Sequence, residues 1–152
     1  PTATELPPTA TPEPTATEVI SPEENLKRQI LEKLGRSHRD IEPRATVEVR
    51  FNVINIQWAI NDGLTDNMTK SSAKIDVTDM LKIISSTNID YELVNFQGTF
   101  SLIDVYGNSS ETTVVWVSYT PEIVNRINWS NFLFRNIYDV AESVKLHYLF
   151  ED

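Results

Sequence analysis

The chain has 152 residues, of which 40% are hydrophobic and 23% charged, and it carries a net charge of −9 from 13 basic and 22 acidic side chains. This length is typical of one domain. The acidic balance argues against nucleic acid as a partner, because binding a phosphate backbone depends on a basic surface. The absence of cysteine excludes disulfides, thiolate nucleophiles and Cys-ligated zinc. The longest apolar runs, such as Val114 to Val117, are far shorter than the roughly 20 residues of a membrane-spanning helix.

The first 20 residues differ in composition from the rest of the chain. Residues 1–19 contain five Pro and six Thr, with no Gly and no aromatic residue. Such a segment buries too little apolar surface to offset the entropy lost on ordering, so we predict a disordered Pro/Thr-rich stalk over residues 1–20. Pro/Thr tracts are typical of stalks that hold a domain off a cell surface, and an interdomain linker is the alternative. The chain begins without Met, which suggests a processed or trimmed fragment.

Charge marks the next two boundaries. Residues 1–24 carry five Glu and no basic side chain, residues 25–44 carry six basic and three acidic side chains, and the remainder carries seven basic and fourteen acidic ones. Ser21, Pro22 and Glu24 form a helix start with a capping box, and Gly35 is the stop signal. We therefore predict a capped amphipathic helix and basic linker over residues 21–44, followed by a single domain over residues 45–152.

Alternating apolar residues predict a strand from Ala45. The apolar residues occupy odd-numbered positions at first (Val47, Val49 and Phe51) and even-numbered positions afterwards (Ile54, Ile56, Trp58 and Ile60). We therefore predict one long bent strand with a β-bulge near residues 53–54, which returns both sets to one face. Helical spacing then predicts a helix from a cap within residues 65–69 to about Ser86.

The second half predicts two more strands, a helical region and a last strand. Residues 89–106 read as a strand with a bulge or kink at Gly98, residues 107–110 as a turn, and residues 112–119 as a central strand. Thr120-Pro121-Glu122 predicts a helix start, Ser130 caps a second helical segment to about residue 141, and residues 144–148 alternate as a strand.

The predicted fold class is α+β. The order is a helix followed by β-α-β-β-α-β, which fits an antiparallel sheet with helices on one face, as in ferredoxin-like folds. The two inferred bulges also favour a strongly curved sheet around a long helix, as in cystatin-like or nuclear-transport-factor-2-like folds.

The most polar predicted hairpin tip is the first candidate contact site. It contains Asp104, Tyr106, Asn108 and Glu111, which are either a partner contact or plain turn chemistry. Trp129 is the second candidate, because Asn-Trp-Ser-Asn at residues 128–131 is unusual inside a helix and marks either a kink or an exposed aromatic.

Other groups give weaker signals. The loop at residues 61–67 has oxygen ligands of the kind calcium takes, but it lacks the EF-hand spacing and fits a helix cap equally well. Asp76 and Asp79 share a helix face, as solvated acids commonly do. No hydrolase elbow, phosphate loop or zinc-protease motif is present. We therefore predict no catalytic residues, no metal and no cofactor.

Two segments of the chain, together with its N-terminal segment, resemble a known class of domain. Residues 126–133 and 104–108, with the Pro/Thr stalk, resemble uncharacterised extracytoplasmic domains of bacterial lipoproteins or tethered surface proteins, over roughly residues 45–150. The resemblance implies a location at the cell surface or in secreted form, and it implies no mechanism.

Two functional hypotheses follow. The first is a non-catalytic extracytoplasmic domain that binds a protein or cell-envelope component, attached to a membrane only through an upstream anchor. The alternative is a small-ligand-binding or hydrolytic domain with a pocket between the sheet and the long helix, using Trp58, Trp116 and acids such as Asp62 or Asp104. A homo-oligomer formed through the edge of the last strand is a further possibility.

Overall fold

The computed structural model describes residues 20–152, so all but the last residue of the predicted stalk lies outside the described residues. It is an α+β fold with one five-stranded mixed sheet, which confirms the predicted class. The strands lie side by side in chain order. The elements are α1 (Pro22–Leu34), β1 (Ala45–Arg50), β2 (Val53–Ala59), α2 (Asp66–Ser85), β3 (Leu93–Ile103), β4 (Ser109–Tyr119), α3 (Pro121–Arg126) and β5 (Ser143–Leu146), with 3-10 turns at Phe134–Asn136 and Tyr148–Phe150.

Each of the three α-helices begins at a side-chain cap. The hydroxyls of Ser21, Thr65 and Thr120 accept hydrogen bonds from the backbone N–H three residues further on. These caps satisfy backbone donors that the first turn leaves without a helical partner. All three helix starts therefore lie where the sequence places them.

The predicted long bent strand over residues 45–60 is wrong, because the chain reverses in its middle. Phe51 and Asn52 adopt positive φ values of 50° and 63°, and β1 pairs with β2 in an antiparallel hairpin. Two central residues with positive φ are the geometry of a type I′ turn. Val47 lies opposite Ile56 in the hairpin register. The reversal therefore places the apolar side chains of both strands on the same core face. The predicted bulge was proposed to account for this same placement.

The sheet is mixed because α2 forms a crossover between two parallel strands. β2 and β3 run parallel, whereas the other three strand pairs are antiparallel. A parallel pair needs a connection that returns along the sheet, and a helix supplies it. The predicted all-antiparallel sheet and the predicted order α-β-α-β-β-α-β are therefore wrong, and the observed order is α-β-β-α-β-β-α-β.

Gly98 lies where the register of β3 and β4 shifts, as predicted, but the extra residue is Val114 on β4. A Cβ at Gly98 would lie 2.8 Å from Ile60 Cδ1 and 2.9 Å from Trp58 Cη2. The bare backbone of Gly98 makes room for the buried Trp58 ring.

The predicted second helical segment over residues 130–141 is wrong. The chain there forms turns and a single 3-10 turn, and Asn128 Oδ1 accepts the N–H of Ser130 at 3.1 Å. Asn side chains compete for backbone groups in this way and so oppose helix continuation. The Tyr119 hydroxyl donates to the Ile137 carbonyl at 2.7 Å and anchors the segment. The last strand also ends earlier than predicted, at Leu146.

One hydrophobic core joins all of these elements. Helix α1 contributes Leu26 and Ile30 to it, and α2 contributes Met80 and Leu81, each fully buried. The helices pack on one face of the sheet, and the opposite face carries exposed polar side chains.

Candidate functional site

The hairpin tip between β3 and β4 has a rigid base and exposed apolar residues. Asp104 Oδ1 accepts the backbone N–H groups of both Tyr106 and Asn108 at 2.9 Å. Asp104 and Asn108 therefore serve the turn, as the conservative interpretation of the sequence holds. Val105 and Tyr106 project outward, with 94% and 86% of their surface exposed. Of the predicted contact residues at the tip, Tyr106 is the one that the turn presents.

Glu111 lies further down the hairpin and is held by Arg39. Its two carboxylate oxygens accept from Arg39 Nη2 at 2.9 and 3.0 Å. Arg39 also donates to the Ile60 carbonyl, and its guanidinium lies 5.1 Å from the centre of the Phe100 ring. Arg39 and Asp40 both have positive φ, so a tight turn aims the guanidinium. Sequence reasoning missed Arg39, because its partner lies 72 residues away.

These contacts build a groove at the end of the sheet, which we call the tip groove. It has a volume of about 480 Å³ and is formed by the turn at Arg39, the loop before α2, the ends of the β3–β4 hairpin and the C-terminal segment. Leu64, Ile103 and Leu149 line it with 94%, 75% and 48% of their surface exposed. Its lining includes Arg39, Leu64, Phe100, Ile103, Leu149 and Phe150.

The two basic side chains that line the tip groove, Arg39 and Lys70, are both engaged in hydrogen bonds. Lys70 donates to the backbone carbonyl of Glu151 at 2.7 Å. His38 Nε2 accepts the backbone N–H of Asp62 at 3.3 Å. Burial, together with the nearby Arg39 and Arg44, lowers the pKa of His38, which favours the neutral ring that this hydrogen bond requires. The surface of the groove is therefore mixed, and its exposed apolar side chains lie beside the carboxylates of Asp62 and Asp66 and several hydroxyl groups.

Trp129 lies apart from the tip. Its ring packs edge-on against Phe132, with 5.9 Å between centroids. Beside it lies a cleft of about 540 Å³, lined by Arg126, Asn128 and Phe132 together with apolar residues of α3 and the following turns. The structure thus separates the predicted contact residues, because four of them lie on the β3–β4 hairpin and Trp129 lies beside this cleft without lining it.

The pocket of the alternative hypothesis, between sheet and helix, is filled by Trp58. The Trp58 side chain is fully buried, and its Nε1 donates to Asp76 Oδ2 at 3.1 Å. The same oxygen accepts from Arg44 Nη2 at 3.1 Å. Burial raises the pKa of Asp76 to about 6, against the opposing effects of Arg44 and Trp58. This cluster ties α2 to the sheet and faces no cavity, so we assign it a structural role.

The remaining residues of the alternative hypothesis are dispersed. Trp116 lies on the face of the sheet away from the helices, Asp62 lines the tip groove, and Asp104 holds the hairpin turn. Within residues 20–152, no group of three or more His, Asp or Glu is arranged to hold a metal ion. The loop at residues 61–67 ends in the Thr65 cap of α2, and Gly63 N–H donates to Thr69 Oγ1 at 3.0 Å.

Comparison with known proteins found no matching family model, no similar curated protein and no matching solved structure. In the described part of the chain, no helix combines the length and the apolar character needed to cross a membrane.

Proposed function

We propose that this chain is a non-catalytic binding domain, held outside the cell on its Pro/Thr-rich N-terminal segment, that binds a protein of the cell envelope through the tip groove. The observation that carries the proposal is the cluster of large apolar side chains exposed around this groove. Exposed apolar clusters of this kind mark interaction sites in folded proteins. The extracytoplasmic location rests on the composition of the N-terminal segment and on the resemblance to tethered surface proteins.

A protein partner fits the groove better than a small molecule does. Leu64, Val105 and Tyr106 stand out from the surface, whereas small ligands are enclosed by concave walls. Protruding apolar and aromatic residues insert into pockets of a protein partner and carry most of the binding energy. The paired Arg39 and Glu111 form a polar border, as is common around the apolar centre of an interface.

Site-specific photo-crosslinking in the cells of origin tests the proposal. A photoreactive phenylalanine analogue replaces Tyr106 in the full-length protein, and Phe51 serves as the matched control position. Phe51 is also 94% exposed on a hairpin turn, but it precedes β2 and so lies at the opposite end of the sheet. We expect one defined protein adduct from position 106 and none from position 51.

Two results decide the outcome. The substitution Leu64→Glu, which places a charge in the groove, should reduce the adduct at position 106 about tenfold, the effect of roughly 1.4 kcal/mol. The native protein should also react with a membrane-impermeant amine reagent on intact cells. Equal adducts from positions 106 and 51, or a protein protected from the reagent until the cells are lysed, would contradict the proposal.

A further inference from the structure

The sheet face away from the helices carries two polar rows that run across all five strands. The strand register places the members of each row side by side. The first row is Thr46, Gln57, Gln97, Trp116 and Lys145, and the second is Glu48, Asn55, Asn95, Ser118 and Ser143.

The interior of both rows is uncharged. Glu48 stands at one edge of the sheet, where it pairs with Arg50 at 2.6 Å, and Lys145 stands at the other edge. The three middle strands contribute amides, Ser118 and Trp116, although the chain as a whole carries a net charge of −9. An occupant matched to this face is therefore uncharged and rich in hydrogen-bonding groups.

The amides in these rows are unusual for the middle of a sheet. Asn is depleted in strands, yet Asn55 and Asn95 face each other on the two parallel strands, and Gln57 and Gln97 do the same two residues on. One hydrogen bond, from Asn95 Nδ2 to Asn55 Oδ1 at 3.1 Å, joins the first pair. Both glutamines are exposed, and they line a shallow depression of about 270 Å³ with the two asparagines. Glu48 lies at the rim of this depression, where Arg50 balances its charge. Each amide offers donors and an acceptor from one planar group.

Trp116 adds an aromatic surface to the same row. It lies directly opposite Gln97, and Lys145 Nζ lies 5.2 Å from the centre of its ring. The cation–π interaction with Lys145 restricts the orientation of the ring. The face thus combines one oriented indole with a patch of neutral donors and acceptors.

We propose that this polar face binds a neutral glycan chain. Sugar hydroxyls both donate and accept, as the amides do, and the apolar C–H face of a pyranose packs on an indole ring. A protein partner would require an apolar centre that the amide rows do not supply, and a polyanion would require basic residues across the face. The site is separate from the tip groove, and the proposal does not depend on a protein partner there.

Nuclear magnetic resonance titration of the full-length chain tests this proposal. The probes are cellohexaose and chitohexaose as neutral chains and hexagalacturonate as an anionic chain of equal length. We expect at least one neutral chain to shift the side-chain amide resonances of Asn55, Asn95, Gln57 and Gln97 and the indole resonance of Trp116. Trp116→Ala should weaken binding about tenfold.

A second variant guards against loss of folding. The double substitution Gln57→Ala and Gln97→Ala alters exposed side chains only and should also weaken binding about tenfold. Tyr148→Ser changes an exposed aromatic residue outside both rows, so it is the matched control and should leave glycan affinity unchanged. Absence of shifts with both neutral chains at millimolar concentration, equal or tighter binding of hexagalacturonate, or unchanged affinity in both face variants would overturn the proposal.

Discussion

At the scale of single residues, Asp76 shows how burial changes a group that looks ordinary in the sequence. Its spacing from Asp79 is typical of a solvated helix face, yet its carboxylate is buried and accepts from Arg44 and Trp58. Desolvation disfavours the charged form and raises the pKa to about 6, although the Arg44 charge opposes the shift. Arg44 lies 32 residues earlier in the chain, so no local pattern indicates the pair.

This raised pKa predicts a pH-dependent stability. The folded state binds the Asp76 proton more tightly than the unfolded state, whose pKa is near 3.8. The contribution of Asp76 to the free energy of unfolding is therefore complete below that value and is lost as the pH rises through about 6. Asp76→Asn should remove this pH dependence. Between acidic and neutral pH, the unsubstituted protein should therefore lose about 1–3 kcal/mol more of its free energy of unfolding than the variant does. Urea unfolding over a pH series measures it.

Asp152→Asn is the matched control for that series. The hydrogen bond from Lys74 lowers the pKa of Asp152, so any effect of this substitution has the opposite sign. Asp152 is largely exposed, and solvent screening keeps its effect small. A pH profile of Asp76→Asn that matches that of the unsubstituted protein would contradict the assignment.

At the scale of elements, the β1–β2 hairpin shows that alternating apolar residues alone do not predict where a strand ends. Two apolar sets of opposite parity fit a bulged strand and a hairpin equally well, because both arrangements return the side chains to one face. The deciding feature is the backbone at Phe51 and Asn52, where both φ values are positive. Asn tolerates positive φ and Phe rarely adopts it. Only one of the two central residues is therefore typical of a type I′ turn.

The positive φ at Asn52 predicts that one substitution there is destabilising and another is nearly neutral. Asn52→Val places a β-branched side chain at a φ of 63° and should lower the free energy of unfolding by about 1–2 kcal/mol. Asn52→Gly suits positive φ and should stay within about 0.5 kcal/mol of the unsubstituted protein. Both should keep the backbone carbonyl that accepts from Glu92 N–H at 2.7 Å. Thermal melting compares them, and equal melting temperatures would argue against the hairpin.

At the scale of the whole molecule, the C-terminal segment closes the fold and completes the tip groove. Lys74 Nζ lies 2.8 Å from Asp152 Oδ2, which adds to the Lys70 contact one turn earlier on α2. Phe150 is 5% exposed and packs edge-on against Phe100, with 5.5 Å between ring centroids. The segment thus joins α2 to the far end of β3.

Phe150→Ala should therefore destabilise the domain by about 3 kcal/mol, because it leaves a cavity beside Phe100. Tyr148→Ala removes a neighbouring aromatic that is 72% exposed and should change stability by less than about 0.5 kcal/mol. Urea unfolding of the two variants provides the comparison. Similar losses in both would mean that Phe150 does not anchor the segment.

The sequence by itself determined the features whose partners lie a few residues apart. Capping side chains indicate the first residues of the helices after Ser21, Thr65 and Thr120. Turn chemistry indicates the turn held by Asp104, and periodicity indicates the α+β class. For the same reason Tyr106 could be placed at an exposed tip.

Only the tertiary structure decided the features whose partners lie far apart. Three features join residues separated by many positions in the chain. They are the Arg39–Glu111 pair that borders the tip groove, the buried cluster around Asp76, and the strand register that aligns the amide rows. Their free energy depends on desolvation and on distances between elements, neither of which a local pattern specifies. The location of the tip groove also depends on the tertiary structure, since Leu64, Ile103 and Leu149 line one groove only after the chain has folded.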